Sequence, residues 1–262
     1  MAGTGIVTVP WAFQGSGILL GSALTFIAFT ISYITCYLVV LTAGQDIDYT
    51  VTLTRHFGRK GWVVGMVCFI LNLYVPILIF FQLLAQNLYP IILAIVEPFT
   101  HNVKDPTATK PDWSEFSYTW TCVIIFALNF MITAYRNIQI FVKINSFGVI
   151  FIMIILVSII GIGIYGLATT QYTYSKEVFQ EYEADPNPEK SYLAFVDLAG
   201  KAYAPLMGIL GGGYYFHNIS LPVIRNAKDP SKNSRDVFIG YLCVCITYIA
   251  CGCLGYYGFI GE

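Results

Sequence analysis

A polytopic, all-α membrane protein is the fold class this sequence predicts. Hydrophobic residues make up 56% of the 262 and charged residues only 11%, less than half of the roughly 25% usual in soluble domains. The charges are also segregated, falling mostly in short stretches between apolar runs long enough to cross a bilayer. Glycine and proline interrupt the first and sixth of these runs in a way the others do not share.

Seven apolar segments follow in order: 1–13, 17–43, 61–96, 118–135, 140–168, 202–224 and 237–260. About 20 apolar residues cross ~30 Å of hydrocarbon, and all but the first are near or above that length. Segment 1–13 reads as the second half of a span, because it lacks the charged start and cleavage site of a secretory signal. Segment 61–96 is long enough for about 54 Å of helix at ~1.5 Å per residue. With no polar turn near Tyr74-Val75-Pro76-Ile77, it reads as one helix kinked at Pro76 and extended near Pro90.

Counting spans this way places loops 45–60, 136–143 and 225–236 on one side, with 97–117 and 169–201 on the other. The first set holds nine of the fourteen Lys and Arg. The positive-inside rule therefore makes it cytoplasmic and the second set extracellular or lumenal. A seven-helix receptor would have its N-terminus outside, against this charge bias.

A net charge of −1 without a basic patch excludes a nucleic-acid partner. The seven cysteines lie within or at the edges of apolar runs. Cys243-Val-Cys245 and Cys251-Gly-Cys253 have no neighbouring His or carboxylate and read as small packing residues, so no metal site is assigned. No catalytic triad or phosphate loop is present, and no enzyme activity is expected. Asn218-Ile219-Ser220 matches the glycosylation pattern at membrane depth, where it is not expected to be used.

The interruptions carry the chemistry. Gly3-Thr4-Gly5 precedes Pro10 in the first span, and Gly208 with Gly211-Gly212-Gly213 precedes Pro222 in the sixth. Each glycine weakens helix by about 1 kcal/mol relative to alanine, and unwound backbone at membrane depth must be buried in protein or line a cavity. Interruptions in spans one and six are what an inverted five-plus-five repeat requires. On that reading 1–262 is a single, incomplete transmembrane domain, with a first repeat at 1–168, an outer loop at 169–201 and the start of a second repeat at 202–262. Freed amides around Gly3, Thr4, Gly5 and Ile6 stand at the positive end of a helix dipole and suit a carboxylate. Carbonyls near Gly211, Gly212, Gly213, Tyr214 and Tyr215 stand at a negative end and suit an ammonium. Close helix packing is the alternative use of these glycines.

At these residues a family resemblance emerges. Met1-Ala2-Gly3-Thr4-Gly5-Ile6-Val7-Thr8-Val9-Pro10-Trp11 resembles the first-helix motif of the amino acid/auxin permease family, closest to its lysosomal arginine-sensing branch. Tyr135-Arg136-Asn137, Phe216-His217-Asn218-Ile219, Leu221-Pro222 and Lys228-Asp229-Pro230-Ser231-Lys232 are similar to the family as well. The resemblance implies an eleven-helix secondary transporter of amino acids working by alternating access, with substrate between helices 1, 3, 6 and 8. It also implies a lysosomal or vacuolar membrane, or the plasma membrane. The family's sodium-binding positions fall before Met1 and after Glu262, so sodium and proton coupling are both open, as is uniport.

In the third span Asn72, Gln82 and Gln86 are candidate cavity-lining residues, Gln82 and Gln86 standing one turn apart. His217 is a candidate to sense or relay protons. Interhelical hydrogen bonding is the plainer role for all four. A second functional class is an amino-acid sensor that uses the same pocket to signal to cytoplasmic partners. Residues 1–262 alone are expected not to transport, because rocking of one bundle against another needs both halves.

Overall fold

The computed structural model describes residues 5–44, 46, 49–96, 117–134, 138–183, 193–225 and 232–260. The order of elements is α1 (Gly5–Ser16), α2 (Ile18–Ala43), α3 (Tyr49–Val96), α4 (Tyr118–Ala134), α5 (Ile138–Thr169), β1 (Gln171–Thr173), α6 (Lys176–Glu183), β2 (Leu193–Phe195), α7 (Ala204–Gly213), α8 (His217–Arg225) and α9 (Asn233–Phe259). Within α2, α3, α5 and α9 lie stretches long and apolar enough to cross a membrane, and α4 and α7 contribute shorter apolar helices. The chain is thus a mostly helical, multi-pass membrane protein.

Two helices differ from expectation. α3 begins at Tyr49, within the charged segment, and is kinked at Gly58 (φ 62°, ψ −158°), which divides its first turns from the span that follows. A residue without Cβ reaches that conformation at little cost. The sixth span is split into α7 and α8, and the break falls on Tyr214, Tyr215 and Phe216 rather than on the triple glycine, which forms the last turn of α7.

The chain forms two compact units, one of residues 1–56 with 145–262 and one of residues 57–144. In the second unit, Tyr118 of α4 reaches α3, its hydroxyl donating to the Gln82 carbonyl at 3.4 Å. Tyr89 and Tyr118 pack edge to face, with ring centroids 5.9 Å apart.

In the first unit α9 is the central helix, packed against α1 and α2. Helices in hydrocarbon gain little from apolar burial and associate where small residues let backbones approach. Gly252 and Gly255 do this for α1: a Cβ on Gly252 would stand 2.5 Å from Phe13, and one on Gly255 would stand 2.7 Å from Pro10 Cβ. Gly258 does the same for α5, with Ile162 at 2.8 Å. The core around them holds Val9, Phe13, Phe29, Leu206, Leu210, Tyr214, Tyr241, Tyr248, Cys245 and Cys251.

The loop between α5 and α7 is not featureless. β1 and β2 pair in parallel, with Tyr172 opposite Ala194. The segment after β2 then docks on the α1–α2 corner. Ile18 N–H donates to the Asp197 carbonyl at 3.0 Å and Leu19 N–H to that of Leu198 at 3.0 Å, while Gly200 and Ala202 donate to the carbonyls of Ser16 and Gly15. Gly17 turns the corner at φ 78°, and a Cβ there would meet the Leu198 and Ala199 backbone at 2.6 Å.

Candidate functional site

Helix α1 is described from Gly5 to Ser16. Gly3 and Thr4 lie outside the described residues. Thr8 Oγ donates to the Gly5 carbonyl at 3.0 Å, a local bond within the first turn. Ile6 is buried and faces the core.

Helix α7 ends at the glycines, and its last turn closes through Tyr214 N–H to the Leu210 carbonyl (2.9 Å) and Tyr215 N–H to the Gly212 carbonyl (3.3 Å). Gly208, Gly211 and Gly212, at i, i+3 and i+4, share one helix face. A Cβ on any of them would meet nothing within 4 Å. Gly213 is different: a Cβ there would overlap the phenol of Tyr248, with Cε2 and Cζ at 2.9 Å. The same hydroxyl reaches α1, since a Cβ on Gly5 would stand 3.4 Å from Tyr248 Oη and 3.5 Å from Ile209. The interrupted ends of the first and sixth spans therefore meet on one side chain of the seventh.

Of the aromatic residues at the break, Tyr214 is a core residue. Its ring stacks on Tyr241 (6.2 Å, 12°) and takes the edge of Tyr248 (5.6 Å, 77°). Its hydroxyl faces the Cys245 thiol, and its carbonyl accepts from Tyr241 Oη at 3.4 Å. Tyr215 is half-buried beside His217, with ring centroids 6.2 Å apart. His217 opens α8 and places Nε2 2.8 Å from Thr35 Oγ of α2, a bond that ties the second half of the broken span to its neighbour.

Asn72, Gln82 and Gln86 lie in the other compact unit, where all three are exposed. The Asn72 amide donates back to the Cys68 carbonyl of its own helix at 2.9 Å. Tyr241 and Tyr248 were not legible as site residues, because a tyrosine inside an apolar run looks like packing. For Tyr248 the signal lies in the glycines it faces, Gly5 and Gly213.

Residues 1–261 match the family described as transmembrane amino acid transporter protein. The chain belongs to the transmembrane amino acid transporter family. Among curated proteins it is 25% identical to the sodium-coupled neutral amino acid transporter 9 homolog of Caenorhabditis elegans, over 96% of this chain and 47% of that protein. It is 22% identical to neutral amino acid transporter 9 of Xenopus tropicalis, over 96% and 50%, and 20% identical to that of Rattus norvegicus, over 99% and 51%. The chain spans about half the length of the curated relatives it matches. The convergence on Tyr248 brings the described ends of the first and sixth spans into one neighbourhood.

Proposed function

We propose that this chain is part of a secondary active transporter whose substrate is a small neutral amino acid. The carboxylate is held by the amides of Gly3, Thr4, Gly5 and Ile6, and the ammonium by carbonyls of Gly211, Gly212, Gly213, Tyr214 and Tyr215. The observation that carries this reading is the approach of Gly5 and Gly213 to the same Tyr248 hydroxyl. The open faces of Gly211 and Gly212 leave room beside exposed backbone. The reading places this site in an inverted-repeat fold that works by alternating access, with repeats at 1–168 and from 202 onward. Asn72, Gln82, Gln86 and His217 are proposed to line the path. Sodium and protons are the two candidate coupling ions, and the relatives' printed names favour neutral amino acids and, for one, sodium. A lysosomal, vacuolar or plasma membrane is the proposed location, with 225–236 cytoplasmic and 169–201 outside or lumenal.

The test is uptake by the full-length protein in liposomes, across a panel of amino acids with imposed sodium or proton gradients. Saturable, stereoselective flux is expected, and Gly5→Leu and Gly212→Leu should abolish it with insertion unchanged. Unaltered binding by the Gly5→Leu protein removes the site from this place. Saturable binding without flux assigns the sensor role instead.

A further inference from the structure

Tyr241 and Tyr248 stand seven residues apart on α9, two turns along nearly one face, because an α-helix drifts only about 20° per seven residues. Both are fully buried. Between them they contact Gly5, Gly213, Tyr214 and Phe216 at the two interruptions. Tyr241 Oη donates to the Tyr214 carbonyl, which the break removes from regular helix. Its ring stacks on Tyr214. Tyr248 fills the space in front of Gly213, and its hydroxyl lies against Gly5.

A phenol both donates and accepts. At a place where one backbone end presents carbonyls and the other amides, it serves either. A phenylalanine would fill the same volume with neither capacity. The requirement for glycine is also explained from this side: an alanine at Gly213 would force the phenol out of its place, whereas Gly211 and Gly212 meet no such neighbour.

We propose that Tyr248 is a positioning residue for the substrate, setting the gap and the polarity between the two interrupted ends, with Tyr241 pinning the turn at Tyr214. The inference rests on the substrate site proposed above. It adds the seventh span to that site as the element that fixes its dimensions, so affinity depends on a hydroxyl two turns inside an apolar helix.

The experiment uses the full-length protein in liposomes, with radiolabelled L-alanine and L-glutamine as probes. Tyr248→Phe is expected to raise KM about tenfold while maximal flux per inserted protein stays within about twofold, the effect of losing one buried hydrogen-bonding group that acts on binding alone. Tyr241→Phe should raise KM about threefold, because its bond to Tyr214 is longer and indirect. Tyr257→Phe, on the same helix but bonded to Tyr174 near the outer loop, should leave KM unchanged. Gly213→Ala combined with Tyr248→Phe should not be additive, since the two positions share one space. If Tyr248→Phe lowers flux only in proportion to lost protein, with KM unmoved, the residue is structural and the inference falls. If Gly5→Leu abolishes binding while Tyr248→Phe keeps the parental KM, this inference fails and the site reading stands. If Gly5→Leu also binds as the parent does, or the parent binds neither probe, the site reading fails and takes this inference with it.

Discussion

The third and seventh spans are both long and apolar. Yet α9 buries 33% of its apolar stretch inside the protein and α3 only 6%. Hydropathy therefore says that each can sit in a membrane and nothing about what each packs against. The difference lies in small residues and their spacing. Gly252, Gly255 and Gly258 open one side of α9 to Phe13, Pro10 and Ile162, whereas the described face of α3 around Leu71, Tyr74, Ile77 and Phe80 is bulky and exposed. A helix in hydrocarbon is built into a core by what its surface leaves out.

The comparison can be broken most sharply at Gly255. Gly255→Leu drives a side chain into the Pro10 ring and should cost 3 kcal/mol or more, at about the upper end for overpacking. The full-length protein should lose most of its monodisperse material in detergent. Gly161→Leu, with nothing within 4 Å of its Cβ, should elute as the parent does. Equal behaviour of the two would mean that α9 is no more tightly held than an open helix face.

A second pair compares positive-φ glycines. Gly17→Ala meets both an unfavourable φ of 78° and the backbone of Leu198 and Ala199, and should cost about 2–3 kcal/mol. Gly58→Ala in α3 has φ 62° but open space around it, so only the backbone contribution of roughly 1–2 kcal/mol applies. Thermal unfolding in detergent should place Gly17→Ala below Gly58→Ala, and the reverse order would contradict the close docking of the corner.

The smallest expected pair concerns polar side chains. Thr35→Val removes one partner of His217 and should destabilise by about 1 kcal/mol. Asn72→Ala loses a bond to its own helix and should stay within roughly 0.5 kcal/mol, as exposed substitutions do. A larger loss at Asn72 would show that this side chain has a partner beyond α3.

Much of the helical layout was legible because charge-poor runs and bilayer thickness leave little choice. Segments 17–43, 118–135 and 237–260 lie within a few residues of α2, α4 and α9. The short helix before Gly58 was not legible, since Arg55 and His56 look like a loop, whereas the span after Gly58 starts close to the expected 61. The position of the break in the sixth span was off by a few residues for a related reason. Low helix propensity in Gly211–Gly213 is overridden by the i−4 bonds that close the turn, so the chain lets go at the aromatic residues that follow. Strands of three residues leave no periodicity to read. Tyr248 could not be found from its own neighbourhood, because its partners are 35 and 243 positions away in sequence, at Gly213 and Gly5.

The corner between α1 and α2 has one further consequence. The first amides of α2 and the last carbonyls of α1 are groups that a helix leaves unmet at its ends, and here the backbone of 197–202 takes them instead of water. That makes the connection mechanical: a pull on the outer loop is transmitted to the first two spans through backbone hydrogen bonds, without waiting on a side chain to change rotamer. The loop and these two helix ends are therefore obliged to travel together, and an antibody fragment gripping 197–202 would act as a brake on the first span.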